Sequence, residues 1–167
     1  NSINFKEIVA SFGDIENLKV CVIGENITDM YSNYRPLGRS SKGASLVFEK
    51  GTSDIYDGGV MAVAKNLLAL HHDVTVITNR VTRNNYPGLN IMDLNLGDEI
   101  IKERILDRHT SEKIIEFYNN GFQVTWEDQS ELEFCKHIVQ EKYDLVLCFD
   151  FGHGFFTKKI IDIIESL

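Results

Sequence analysis

Three short apolar runs limit what this chain can fold into: LKVCVI at 18–23, DVTVIT at 73–78 and DLVLCF at 144–149. Each has the length of a strand, is rich in Val, Ile and Leu, and shows little polar alternation. Such runs need cover on both faces, as in a parallel sheet carrying helices on each side. The stretches between them are far too long for hairpins, so right-handed crossovers are expected. The 167 residues amount to one domain, enough chain to bury roughly 70% of its unfolded surface. The expected class is α/β.

The intervening segments suggest how the sheet is covered. Residues 4–12 (NFKEIVASF) have helical spacing and stop at Gly13-Asp14. Residues 31–57 are polar and carry Gly and Ser, with alternating stretches at 46–49 and 53–56, which suits an exposed hairpin or lid. Gly58-Gly59 opens a helix over 60–70 with a wide apolar face. Residues 79–98 are Asn-rich with one Pro-Gly and read as loop. Residues 99–108 and 113–118 read as a hairpin around Thr110-Ser111, with a helix as the rival for the first. SELE at 130–133 reads as a capping box for a helix to about Tyr143, and Thr157 as the cap of a last helix over 158–167. The chain starts at Asn1 without Met, and Leu167 sits in an amphipathic segment with no capping Gly, so an excised fragment is expected.

Composition removes several function classes. Lys and Arg number 17 against 25 Asp and Glu, a net charge of −8. Without a long basic run, nucleic acid and anionic membranes are excluded as main partners, although a local basic site is allowed. Apolar runs such as 145–149 fall far short of the roughly 20 residues of a membrane span, and no signal peptide is expected. The 3 cysteines are an odd count, and two lie in apolar runs. They read as reduced core residues of a cytoplasmic protein. No C-x-x-C or H-x-x-x-H occurs, so no metal site is expected.

In open α/β sheets, ligands bind beyond the carboxyl ends of the strands. Polar groups stand there in three places: Gly24-Glu25-Asn26 with Asp29, Asn79-Arg80, and Asp150-Phe151-Gly152-His153-Gly154. The plain alternative is that strands simply end in polar loops. Gly58-Gly59 before a helix exposes N–H groups that a ligand can approach, or is only a glycine helix start. Neither G-x-G-x-x-G nor a Walker A loop occurs, which disfavours a small Rossmann-like nucleotide binder. Asp150 can accept a ligand hydroxyl or cap the next element. Arg104 and Arg108 would share a face on a strand and could meet a phosphate, or pair with Glu103 and Asp107 on a solvated face.

Taken in order, four segments resemble the ribokinase-like (PfkB-type) carbohydrate kinases, and within them the heptose-phosphate kinase branch of bifunctional ADP-heptose synthase. KVCVIGENITDMY is similar to the first strand and its sugar-binding turn. YDGGVMAVAKNLLALHHDVTVIT is similar to the Gly-Gly helix and following strand. KERILDRHTSEKIIEFY is similar to the lid strands with their arginines, and YDLVLCFDFGHGFFT to the Asp-Tyr-x-Lys-Gly strand end. The resemblance covers about residues 18–167. It implies a parallel sheet with flanking helices and a small β-lid made by segments 31–57 and 99–118. The family reaction transfers the ATP γ-phosphoryl to a sugar hydroxyl.

The resemblance also implies roles. Glu25 stands where the family usually has Asp. Asp29 would contact sugar hydroxyls, Gly58 and Gly59 would let backbone approach the sugar, and Asn66 matches an Asn of the same helix. Arg39 falls in the lid, Arg104 and Arg108 match arginines that reach a sugar phosphate, and Asp150 matches the strand-end acid. The chain departs from the pattern at Ala62, Phe151, His153 and the 41–45 lid turn. The family's Gly-Ala-Gly-Asp anion hole and base do not occur in it. Residues 1–167 are therefore expected to be the substrate-side, N-terminal part of one longer domain, with no catalytic residue of its own. ATP and Mg2+ would belong to the complete parent and not to this chain alone. Expected partners are a sugar or sugar phosphate, a second copy through the β-lid, and a fused nucleotidyltransferase domain. The rival from another class is a non-catalytic module for dimerisation or for docking that domain.

Overall fold

The computed structural model describes residues 18–70, 73–83, 86–119 and 123–166. The helix expected over 4–12 lies outside the described residues. The three apolar runs form a parallel sheet. β1 (Lys19–Gly24) is central, paired with β4 (Asp73–Thr78) on one side and β8 (Leu145–Phe149) on the other. A fourth strand, β5 (Leu89–Asp93), extends the sheet beyond β4, giving the order β5-β4-β1-β8. β5 corrects the loop reading of 79–98. It is an edge strand of five residues, LNIMD, with mixed burial, and so lacks the continuous apolar run that marks its neighbours.

Alternate side chains of β1 point to opposite faces. Val20 and Val22, with Val74 and Val76 of β4, pack on Val60, Met61 and Ala64 of helix α1 (Gly59–Leu68). Cys21, Ile23 and Ile77 pack on the other face against Phe134 and Ile138 of α2 (Asp128–Gln140) and Ile160 of α3 (Lys158–Glu165). Thr157 caps α3 by accepting from the Ile160 N–H. Ser130 does not cap α2, which has already begun at Asp128; its hydroxyl donates to the Leu94 carbonyl and ties the helix to the β5 side of the sheet. Cys21 is buried, whereas Cys148 is exposed and Cys135 intermediate, so the reading of the strand cysteines as core holds for Cys21 and fails for Cys148. The reason is position: β8 has a paired neighbour on one side only among the described residues.

The second sheet is the lid, ordered β3-β2-β6-β7. β2 (Asn26–Arg39) and β3 (Leu46–Gly58) form a long antiparallel hairpin. β6 (Ile100–Asp107) runs parallel to β2, and β7 (Lys113–Tyr118) returns antiparallel to β6. The 99–108 stretch is thus strand, and the helical rival is excluded. The lid starts earlier than composition suggested, because only Glu25 separates β1 from β2 and no residue separates β3 from α1. No helix among the described residues is long and apolar enough to cross a membrane.

Candidate functional site

The sheet order switches direction at β1: the chain leaves it toward β4, and β8 lies on its other side. Ligands of open α/β sheets bind at the carboxyl end of such a switch point. At that end of β1 the chain places a buried carboxylate. Glu25 is 0% exposed and accepts from the backbone N–H groups of Phe151, His153 and Phe155, at 2.9, 3.1 and 3.2 Å. A buried anion needs such donors to offset its desolvation. Glu25 therefore staples the 150–155 turn to the end of β1. Asp150, exposed beside it, turns its Oδ1 back to the Gly152 N–H at 2.8 Å.

The glycines at the start of α1 serve close approach. Gly59 has φ +53°, and a Cβ there would lie 2.2 Å from the Glu25 carbonyl. That carbonyl accepts from the Val60 N–H at 3.0 Å, joining the helix start to the end of β1. Gly58 lies against the Asp29 carboxylate of β2. Asp29 in turn is ion-paired to Arg104 of β6. Arg104 also reaches Glu116 of β7 at 3.4 Å, and its guanidinium lies 5.0 Å from the centre of the Tyr31 ring. The hydrogen bond that Arg104 donates to Asp29 holds the guanidinium above its ordinary pKa.

Register shows what else shares this face, since paired residues point the same way. Asp29 pairs Tyr56 and Lys102, and Tyr31 pairs Asp54 and Arg104. A cavity of about 470 Å³ opens on this face, lined by Asp29, Tyr31, Asn33, Asp54, Tyr56 and Leu106. Tyr31 and Tyr56 meet edge to face at 5.6 Å. The opposite face carries Met30, Ile55, Ile105, Ile115 and Phe117, with Ser32, Ser53 and Glu103 hydrogen-bonded at its centre.

The structure brings Asp29, Gly58 and Arg104 together, with Glu25 and Gly59 just below. It does not gather the rest. Arg108 lies in the turn beyond β6, exposed, so the strand argument that set it on the face of Arg104 does not apply. Arg39 is exposed at the far end of the β2–β3 hairpin, paired in register with Leu46. Asn66 is exposed and donates back to the Ala62 carbonyl of its own helix. A second polar cluster was not foreseen. At the base of the lid, Asp57 accepts from Tyr86 at 2.7 Å and from Lys65 at 3.0 Å, and lies 3.4 Å from Arg83. Arg83 also donates to Thr28, whose hydroxyl bonds Glu99. Its members come from β2, β3 and α1, with Arg83, Tyr86 and Glu99 from outside those elements. No local spacing announces such a group.

Among the described residues no cluster of three or more His, Cys, Asp or Glu is placed to hold a metal ion. Those residues also show no glycine-rich phosphate loop of the Walker or dinucleotide type.

No known protein family matches the chain, and no curated protein matches it. Solved structures do. The phosphofructokinase-2 of Escherichia coli in complex with substrates and products superimposes with a TM-score of 0.57 at 8% identity, covering 89% of this chain and 50% of that one. The same enzyme in complex with fructose-6-phosphate gives 0.54 at 8%, covering 89% and 51%. A protein described as Sa239 gives 0.53 at 11%, again covering 89% and 51%. The chain spans about half the length of the solved structures it matches, and it shares its fold, a parallel sheet flanked by helices, with that part of phosphofructokinase-2.

Proposed function

We propose that residues 1–167 are the substrate-side part of a ribokinase-like kinase that transfers a phosphoryl group to a hydroxyl of a sugar or sugar phosphate. One observation carries this reading. A lid carboxylate, Asp29, rests on the glycine start of α1 at the mouth of a cavity rich in hydrogen-bonding and aromatic groups. Carboxylates and tyrosines are suited to sugars, the first accepting hydroxyl hydrogen bonds and the second covering the C–H faces. The phosphoryl donor and the base are assigned to chain outside these residues. The outer side of β8 supports that assignment, because an apolar parallel strand with Leu145 and Cys148 exposed calls for a further neighbour.

The finer form of the reading, drawn from the resemblance, makes the acceptor a heptose phosphate in nucleotide-sugar synthesis, with Arg104 and Arg108 on its phosphate. It also places the protein in the cytoplasm, pairs two copies through the lid and fuses a nucleotidyltransferase domain to the chain. The apolar lid face of Ile55, Ile115 and Phe117, opposite the cavity, favours the pairing. The same face favours the second reading, a non-catalytic module that keeps the fold for assembly. Asp29→Ala in the full-length gene product separates the two. A kinase loses sugar binding and turnover and keeps its oligomeric state. A scaffold shows neither activity before the change nor any difference after it.

A further inference from the structure

The cavity on the lid is acidic where a phosphate would need it to be basic. Two of its six lining residues are carboxylates, Asp29 and Asp54, and none is a cation. The cation nearest to it, Arg104, is already committed. Its Nη1 is paired with Asp29, its Nε lies 3.4 Å from Glu116, and its plane covers Tyr31. Lys102 shares the face, but its ammonium is drawn over the Tyr118 ring at 5.9 Å, on the β7 side. Lys113 is engaged by Glu116 at 2.7 Å. Arg108 and Arg39 lie outside the cavity lining.

A phosphate reaching for the remaining N–H groups of Arg104 would come in beside the Asp29 carboxylate that Arg104 already holds, with the Asp54 carboxylate across the strand pair. Repulsion of this kind is how a site rejects a near-identical ligand. An uncharged sugar meets no such repulsion. Its hydroxyls can donate to the remaining lone pairs of Asp29 and to Asp54 while the Arg104 pair stays closed. We infer that this cavity selects an unphosphorylated polyhydroxyl acceptor and rejects its phosphate ester. The inference rests on the sugar-site reading above and narrows it, against the heptose-phosphate form.

The test is binding of matched pairs, ribose with ribose 5-phosphate and fructose with fructose 6-phosphate, to the full chain by calorimetry at low salt. The neutral member of a pair binds roughly tenfold tighter or more, and added salt narrows the gap. Asp54→Asn, an exposed change outside the Arg104 pair, also narrows it, by about threefold. Equal or tighter binding of the ester overturns the inference and leaves the sugar site standing, as does a gap that Asp54→Asn leaves untouched. Binding of no member of either pair overturns the sugar-site reading itself, and the inference with it.

Discussion

The Asp29 carboxylate occupies the space that a side chain on Gly58 would need: a Cβ added there comes within 2.5 Å of Asp29 Oδ2 and 3.0 Å of the Ile27 carbonyl. Gly58 has φ −110°, open to any residue, so room alone requires the glycine. Gly58→Ala is expected to push Asp29 off the helix start. It should destabilise the fold by about 1–3 kcal/mol, the usual range for overpacking, and weaken sugar binding by about tenfold. Urea unfolding and calorimetry on one preparation read both.

Glu25 accepts three backbone hydrogen bonds with no exposure to water. Glu25→Gln replaces one acceptor oxygen by an NH2 group that meets N–H donors head on. The cost is about 2 kcal/mol or more, since hydrogen bonds to a charged group are the strong ones and an unmade buried one carries its full desolvation penalty. A shift in the urea midpoint with an unchanged slope is the expected result.

The Asp57 cluster gives the lid base its pH dependence. Burial pushes the Asp57 pKa up, but the Tyr86 hydroxyl, Lys65 and Arg83 outweigh it and hold the group below 3.8. Its contribution is therefore complete above that value and is lost as pH falls through the lower, folded-state pKa. Tyr86 moves the other way. Burial, with the hydrogen bond to Asp57, pushes its phenol from 10.0 to about 12. That contribution is present below pH 10 and fades between about 10 and 12. Tyr86→Phe should flatten the alkaline limb of stability in that window. Asp57→Asn should flatten the acid limb and bring the Tyr86 phenol down, as read by ultraviolet titration against Tyr86→Phe.

Thiol reactivity should report on the open side of the sheet. Burial pushes the Cys21 thiol up to about 12, while Cys148 is exposed on β8. At neutral pH, Cys148 should be alkylated faster than Cys21 by on the order of a hundredfold. In the full-length gene product, Cys148 should become protected if further strands cover β8. Equal labelling in both would remove the unfinished-sheet argument.

The apolar lid face predicts self-association. Phe117 is 52% exposed and Ile115 48%, on the face opposite the cavity. The chain should sediment as a concentration-dependent dimer, and Ile115→Glu should give a monomer with sugar binding intact. A monomer at every concentration would take the lid dimer out of the proposal.

How much of this was legible in the sequence follows from how local each signal is. The apolar runs of β1 and β4 announced their strands because both faces are covered, β8 carried the same kind of run although it is an edge among the described residues, and Thr157 announced its helix because a cap acts within three residues. β5 stayed hidden because an edge strand of mixed burial resembles a polar loop. Ser130 misled, since its hydroxyl answers to Leu94 across the sheet and not to its own helix. In the site, Asp29 and the glycine pair were visible as motifs. The commitment of Arg104 to Asp29 and Glu116 was not, because it depends on three strands meeting in one register. The Asp57 cluster was invisible for the same reason.

The β2–β3 hairpin of the lid is joined to the main sheet by almost no chain. β1 passes into β2 through Glu25 alone, β3 passes into α1 with nothing between, and the two crossings are bridged at Asn26 and Gly59. That hairpin is thus a leaf on a pin of one residue, rising some 14 residues from it. Lengthening is tolerable only at the far end, in the exposed 40–45 turn, where added residues change the reach of the leaf and nothing else. A single residue inserted at 25 or 58 would turn the adjoining hairpin strand over, exchanging its cavity face for its apolar face. Two regions of one hairpin therefore differ in how freely they can be rewritten: the tip can diversify to suit a ligand or partner, and the root can only be kept or lost.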